Sequence, residues 1–214
     1  MSSTPSVVIS CAGIGSRLGL GCTKALITLE GKTLIGWQME LLADIEDVRV
    51  VVGFQANDVI KEVLKHRRDV IFVYNHNYFE TKTGASFYLG ARHANEYVIA
   101  YDGDLLVHPD DLKMLLNLRE EFVAYAEVFS TDSVFVRTDS QGSVMSFSQV
   151  RGDYEWTGPA CLRRDRVQYT TGNVYNQLEK LLPMHGIKIR ACDIDTYEDY
   201  QQALKLIEEW KTPK

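Results

Sequence analysis

Apolar residues along the chain fall into two successive rhythms. In the first half, short and mostly apolar runs at residues 7–10, 48–52, 70–74 and 97–101 lack the polar alternation of a half-exposed strand. The first, largely β-branched, suits a strand covered on both faces, the second reads as another buried strand, and the other two as a third and a fourth strand. Helical spacing separates them. Residues 33–43 place Leu34, Trp37 and Leu41 on one side, and residues 58–65 and 86–95 read as further helices. Pro109 sits where proline opens a helix, so residues 110–118 read as the next one. Strand alternating with helix predicts a parallel, doubly wound sheet.

The rhythm changes after about Glu121. Residues 123–129, 134–138 and 144–148 read as antiparallel strands, separated by the turn signals Thr131-Asp132-Ser133 and Asp139-Ser140-Gln141-Gly142. A helix near residues 173–182, a strand at 187–192 and a final helix at 198–210 follow. The expected fold class is therefore α/β: a doubly wound, mostly parallel Rossmann-like sheet with a small antiparallel sheet packed on it. The chain is expected to be a single domain over residues 1–214, with halves at 1–120 and 121–214.

The first strand runs straight into Cys11-Ala12-Gly13-Ile14-Gly15-Ser16-Arg17-Leu18-Gly19, and Lys24-Ala25-Leu26 comes shortly after. A glycine-rich loop at the end of a first strand lets backbone N–H groups approach a polyanion. Arg17 and Lys24 add cations suited to a triphosphate, although either could be an ordinary surface charge. Two familiar phosphate loops do not fit. Gly31-Lys32-Thr33 supplies the end of a Walker loop, but Leu26 stands where its first glycine belongs. Gly13 and Gly15 match a dinucleotide fingerprint, but Leu18 takes the place of the third glycine.

Asp102 and Asp104 flank one glycine at the end of the 97–101 strand. Residues two apart on an extended strand end share a side. Paired carboxylates there form a hard oxygen site suited to magnesium. Such a triplet alone reads as an acidic turn; a phosphate loop at another strand's carboxyl end favours the metal. Asp193 and Asp195 repeat the spacing after residues 187–192, where Asp195 or Thr196 could simply cap the final helix.

Ala12-Gly13-Ile14-Gly15-Ser16-Arg17-Leu18-Gly19 with Lys24-Ala25-Leu26 resembles the signature of nucleotidyltransferases with the sugar-phosphate pyrophosphorylase fold. Thr23 replaces the proline usual before the lysine. Gly31-Lys32-Thr33-Leu34-Ile35, Val50-Val51-Val52-Gly53-Phe54, Tyr101-Asp102-Gly103-Asp104 and Asp193-Ile194-Asp195-Thr196-Tyr197-Glu198-Asp199 resemble further stretches of the same family, in the same order. Tyr197 stands where a proline is usual. The resemblance covers nearly the whole chain. It implies Arg17 and Lys24 as catalytic cations on the triphosphate. It implies Ala12, Gly13, Gly15, Ser16, Ser86 and Asp102 as nucleotide-binding residues, and Asp104 and Asp195 as Mg²⁺ ligands. Thr83 or Ser86 could equally cap a helix.

Within that family the chain looks most like small choline-phosphate and aminoethylphosphonate cytidylyltransferases. The implied reaction takes CTP and a small phosphorylated or phosphonate acceptor, for decoration of surface polysaccharide. A cationic acceptor would call for an aromatic cage, for which Trp156, Tyr154 and Tyr197 are candidates; Trp156 could equally be a sheet-packing residue. A sugar-1-phosphate nucleotidyltransferase using another triphosphate stays open, although those enzymes usually carry a larger C-terminal extension. Molybdenum-cofactor guanylylation fits the loop less well. A catalytically silent nucleotide-binding module would be expected to lack Arg17, Lys24, Asp104 or Asp195, all of which are present.

Composition narrows the classes. A net charge of -6 gives no basic footprint for nucleic acid. Four cysteines show neither zinc spacing nor a close pair, as expected of reduced thiols. The first residues lack a signal-peptide pattern, and no apolar run reaches the ~20 residues that span a bilayer. A cytoplasmic enzyme without a membrane partner is expected, with homodimerisation open.

Overall fold

The computed structural model describes residues 4–15, 21–129 and 133–211. Strand β1 (Ser6–Cys11) enters the core at once and ends at the glycine loop. A single 3-10 turn at Lys24–Leu26 and a small hairpin, β2 (Thr28–Leu29) and β3 (Lys32–Thr33), lead into α1 (Leu34–Leu41). Thr33 caps α1, its hydroxyl accepting from Gly36 N at 3.2 Å. Then come β4 (Val48–Val52), α2 (Ala56–His66), β5 (Val70–Tyr74), α3 (Thr83–Ala91) and β6 (Tyr97–Asp102). Strand β7 (Leu105–Val107) leads to α4 (Pro109–Asn117), where proline occupies the first turn.

The second half contains β8 (Phe122–Ala126), β9 (Phe135–Thr138), β10 (Val144–Ser148) and the long β11 (Tyr154–Arg163). A short α5 (Tyr175–Leu178), β12 (Gly186–Lys188), β13 (Ala191–Asp193) and α6 (Tyr197–Lys211) follow.

Strands β5, β4, β1 and β6 lie side by side and parallel, in that order. Their residues alternate between two faces. Val7, Ile9, Val50 and Val52 pack with Ile35, Met39, Val59, Val63 and Leu112, so α1, α2 and α4 cover one side. Val8 and Val51 pack with Phe87 and Ala91, so α3 covers the other. Full burial of a side chain such as Phe87 stabilises the fold by about 1.5–3 kcal/mol. A third cluster, including Leu29, Leu34, Leu106, Ile194 and Ile207, fastens α6 to the hairpin end of the molecule.

The expected α/β architecture is present, and the antiparallel strands extend its sheet edge to edge. Strand β11 pairs antiparallel with β6, β8 and β9. Strand β10 continues beyond β9, and β12 runs parallel to β8. The pattern of residues did not predict β11, because Gly158-Pro159 interrupts it. That interruption coincides with a register shift against β8 between Trp156 and Ala160. Gly158 there takes φ +115, which a side chain would resist.

Three other expectations change. Leu34, Trp37 and Leu41 do not share one side of α1: Leu41 packs against the main core, which Ile35 and Met39 enter, and Trp37 does not. Instead Trp37 packs against the α6 cluster, with the Lys32 ammonium 4.1 Å from its ring centre. The strand expected at 187–192 is split into β12 and β13, because Ile189 N donates to Tyr125 O and Arg190 N to Asp111 Oδ2. The helix expected at 173–182 shortens to α5 plus a 3-10 turn at Glu179–Leu181. Cys11, Cys161 and Cys192 are buried, and all four cysteines are unpaired. No helix among the described residues is long and apolar enough to cross a membrane.

Candidate active site

Strand β1 has β4 on one side and β6 on the other, so the chain order reverses beside it. Ligands in such sheets bind beyond the carboxyl ends at that reversal. Cys11 and Asp102 stand at those ends. Gly103 N donates to Ser10 O at 3.0 Å, drawing the acidic turn against the glycine loop. A Cβ at Gly103 would fall 2.6 Å from Cys11 Sγ and 2.8 Å from Ser10 O, so only glycine permits this approach.

Three segments converge on this point. Lys24 opens its 3-10 turn and is 9% exposed. Its ammonium donates to Asp104 Oδ2 at 2.7 Å and also to Asp195 Oδ1. Asp195 arrives on a two-stranded ribbon: β13 pairs with β7, and Ile194 N donates to Asp104 O at 3.0 Å. Asp195 does not cap α6 with its side chain. Thr196 precedes the helix and its hydroxyl accepts from Asp199 N, while the Asp199 carboxylate accepts from Thr196 N and Asp195 N. This reciprocal capping box leaves the Asp195 carboxylate to face Lys24.

The site is strongly acidic. Burial, reinforced by the Asp104 carboxylate, pushes Asp102 up to about 8, with Lys24 opposing the shift. Burial likewise holds Asp193 well above the usual carboxylate range, again with Asp104 adding to it. Burial pushes the Cys11 thiol upward, which removes it as a nucleophile.

Two adjoining cavities meet here. The first, of 370 Å³, is lined by Ala12, Gly13, Gly15, Lys24, Asn75, Ser86, Asp102 and Asp104, among others. The Ser86 hydroxyl accepts from Asn75 Nδ2 at 3.1 Å, which fixes both side chains on its wall. Neither Thr83 nor Ser86 caps α3: Lys82 is the cap residue, without a side-chain bond, and Thr83 Oγ1 accepts from Val174 N. The second cavity, of 220 Å³, shares Thr83, Asp102 and Asp104 with the first and adds Trp156, Thr157, Asn173, Tyr175, Asp193 and Asp195.

Of the aromatic candidates, only Trp156 reaches this wall, held edge-on by Phe147 at 5.6 Å. Tyr154 does not line the cavity; its ring stacks on Tyr125 at 4.6 Å. Tyr197 is 64% exposed and stacks on Tyr200 in the first turns of α6. Thr157, Asn173 and Tyr175 were not anticipated; their sequence surroundings carry no motif, and only the fold brings them to the acidic turn. Ser16 and Arg17 lie outside the described residues.

The donor set suits a small divalent cation. Asp104 and Asp195 present oxygens to one positive centre, at present the Lys24 ammonium. Among the described residues no three metal-binding side chains form a complete cage. Magnesium does not need one, since it keeps several waters and uses one or two carboxylates with substrate phosphates.

Comparison with known proteins follows the same lines. The CTP:phosphocholine cytidylyltransferase of Streptococcus pneumoniae superposes with a TM-score of 0.76 at 20% identity, covering 95% of this chain and 99% of that one. The inositol-1-phosphate CTP transferase of T. maritima gives 0.81 at 18% identity, covering 98% and 97%. At these identities the likeness establishes the fold. The bifunctional protein GlmU of Cyanothece sp. is 30% identical over 126 residues, which span 52% of this chain and 25% of the GlmU chain. The family model of the MobA-like NTP transferase domain matches residues 7–165. The chain spans about a quarter of the length of GlmU and belongs to the MobA-like NTP transferase domain family.

Proposed function

We propose that the protein transfers a cytidylyl group from CTP to a small phosphorylated or phosphonate metabolite, with Mg²⁺, and that its product serves decoration of surface polysaccharide. The observation that carries this reading is the pair of cavities joined at Asp102 and Asp104, beside the Lys24–Asp195 contact. A triphosphate in the first and a phosphorylated acceptor in the second would meet at one acidic point. The cytidylyltransferases among the structural relatives support CTP, and the 220 Å³ of the second cavity favours a small acceptor.

On this reading residues 1–120 hold the nucleotide and residues 121–214 supply much of the acceptor pocket. The loop Ala12, Gly13 and Gly15 offers backbone to the phosphates, and Ser86 faces the base with Asn75 beside it on the same wall. Lys24 lies within reach of the triphosphate and of both carboxylates. Arg17 and Ser16 join it on the strength of the loop's sequence. An oxygen of the acceptor phosphate attacks the α-phosphorus, the new P–O bond forms, and the bond to the β-phosphate oxygen breaks with its electrons leaving on pyrophosphate. The attacking oxygen is already anionic, so no general base is required. Catalysis comes from positioning and charge neutralisation. Bound at Asp104 and Asp195, the divalent cation would supply Lewis-acid neutralisation of phosphate charge.

Pyrophosphate release tests the reading. CTP, ATP, GTP and UTP are each crossed with small phosphates, phosphonates and sugar 1-phosphates in the presence of Mg²⁺. Turnover with CTP and one small acceptor supports it. Turnover only with a sugar 1-phosphate, or only with another triphosphate, replaces the substrate class. Silence across the panel in protein that binds a triphosphate favours a binding module.

A further inference from the structure

A glutamine in the apolar core grips the acidic turn from behind. Gln38 lies on the buried face of α1, is 0% exposed, and neighbours Ile35, Met39 and Leu42. Its amide nitrogen donates to Asp102 O at 3.0 Å and to Leu105 O at 2.7 Å. Both partners are carbonyls, so the amide orientation is fixed by the network. The remaining amide atom, Gln38 Oε1, is buried without a partner. An apolar side chain of similar size would be cheaper to bury. What it could not do is hold two carbonyls on either side of Gly103-Asp104.

The grip extends to the second carboxylate. Leu105, one of the two residues Gln38 holds, pairs with Asp193 across the β7–β13 ribbon. Asp104 O accepts from Ile194 N. The backbone that carries Asp195 therefore hangs on the backbone that Gln38 fixes. Gln38 lines neither of the two site cavities among the described residues; its influence passes through the position of the two acids.

We propose that Gln38 is the positioning residue of the acidic pair, setting the placement of Asp104 and Asp195 and through it the affinity for a divalent cation. This rests on the reading that those two residues hold the metal. Partners one shell behind metal ligands characteristically change metal affinity by about 10–100-fold when removed.

The test is Mn²⁺ binding to the full chain without nucleotide, followed by water-proton relaxation. Gln38→Met, which fills the space without the donors, is expected to stay folded and to weaken Mn²⁺ binding by about tenfold or more. Gln38→Glu keeps the shape and, when protonated, one donor; it should weaken binding by less, and serves if the methionine variant does not fold. Mn²⁺ affinity within about twofold of wild type in folded Gln38→Met, or in folded Gln38→Glu if the methionine variant does not fold, overturns the proposal, even if thermal stability falls. A wild-type protein that binds no Mn²⁺ either alone or beyond what a non-hydrolysable nucleoside triphosphate holds by itself, or that binds it equally well as Asp104→Asn/Asp195→Asn, overturns the metal reading itself and this proposal with it.

Discussion

Lys24 and Asp104 are 80 positions apart in the chain, and their side chains meet at 2.7 Å. The same ammonium reaches Asp195. One cation thus sits on the two carboxylates that a divalent metal would use. On the proposed reading, metal and lysine would compete for those oxygens, and a bound metal would free the ammonium for phosphate.

Lys24→Met should therefore have two effects. Turnover should fall by about 10²–10³-fold, the usual cost of losing one charge-stabilising group. In metal-free buffer the melting temperature should also fall, because two buried-side carboxylates lose their counter-charge. Added Mg²⁺ should then raise the melting temperature of the variant more than that of wild type. An equal rise in both would show that lysine and metal do not share the site.

Asp104→Ala and Asp195→Ala should each lower turnover by orders of magnitude while circular dichroism stays native-like. Asp195 is the sharper case, since the capping box of Thr196 and Asp199 remains whole without it. Near-wild-type pyrophosphate release in either variant would remove that residue from the metal site.

Much of this arrangement is legible in the residues. The runs at 48–52, 70–74 and 144–148 form strands with those same limits, but only 48–52 is buried throughout; β5 lies at the sheet edge, and its Ile71 and Tyr74 are exposed. The glycine loop and the acidic turn announce themselves by sequence and by their places at strand ends. Strand β11 was hidden because glycine and proline ordinarily stop a strand, and only a register shift accommodates them here. Gln38 carried one faint sign, a single amide among Leu34, Ile35 and Met39, with nothing local to say that its partners lie 64 and 67 positions away. Tyr197 looked equivalent to Trp156 in sequence; α6 turns it outward.

Trp156→Ala should raise the acceptor KM by about tenfold, equivalent to ~1.4 kcal/mol, with the nucleotide KM unchanged. Tyr197→Ala should change neither. A shift confined to the nucleotide KM in the Trp156 variant would move that residue out of the acceptor pocket.

A pH effect is expected far from the site. Asp47 is paired with Arg49 through two hydrogen bonds, 2.8 and 2.9 Å, and Arg49 also donates to the carbonyls of Gly90, Arg92 and His93. Burial alone would raise the Asp47 carboxyl, but the bonds from Arg49 and Ser6 outweigh it and hold it below its ordinary value. A depressed carboxyl stabilises the fold above the unfolded value of about 3.9 and loses that contribution as pH falls through the folded value. Asp47→Asn should cost about 1 kcal/mol at pH 7, since the pair is only partly buried and asparagine keeps one acceptor. The gap in melting temperature from wild type should close below about pH 4. A gap that stays constant down to pH 3 would mean the carboxylate charge is irrelevant.

Because Asp195 is carried on the β13 ribbon, 171 positions after Lys24, it leaves the ribosome roughly 10–30 s later at ordinary rates of synthesis. During that interval β1, β4, β5 and β6 can already pair. A chain interrupted before β13 would display Lys24 against Asp104 alone. On the proposed reading, it would carry the residues that face the nucleotide and lack the second carboxylate of the metal pair.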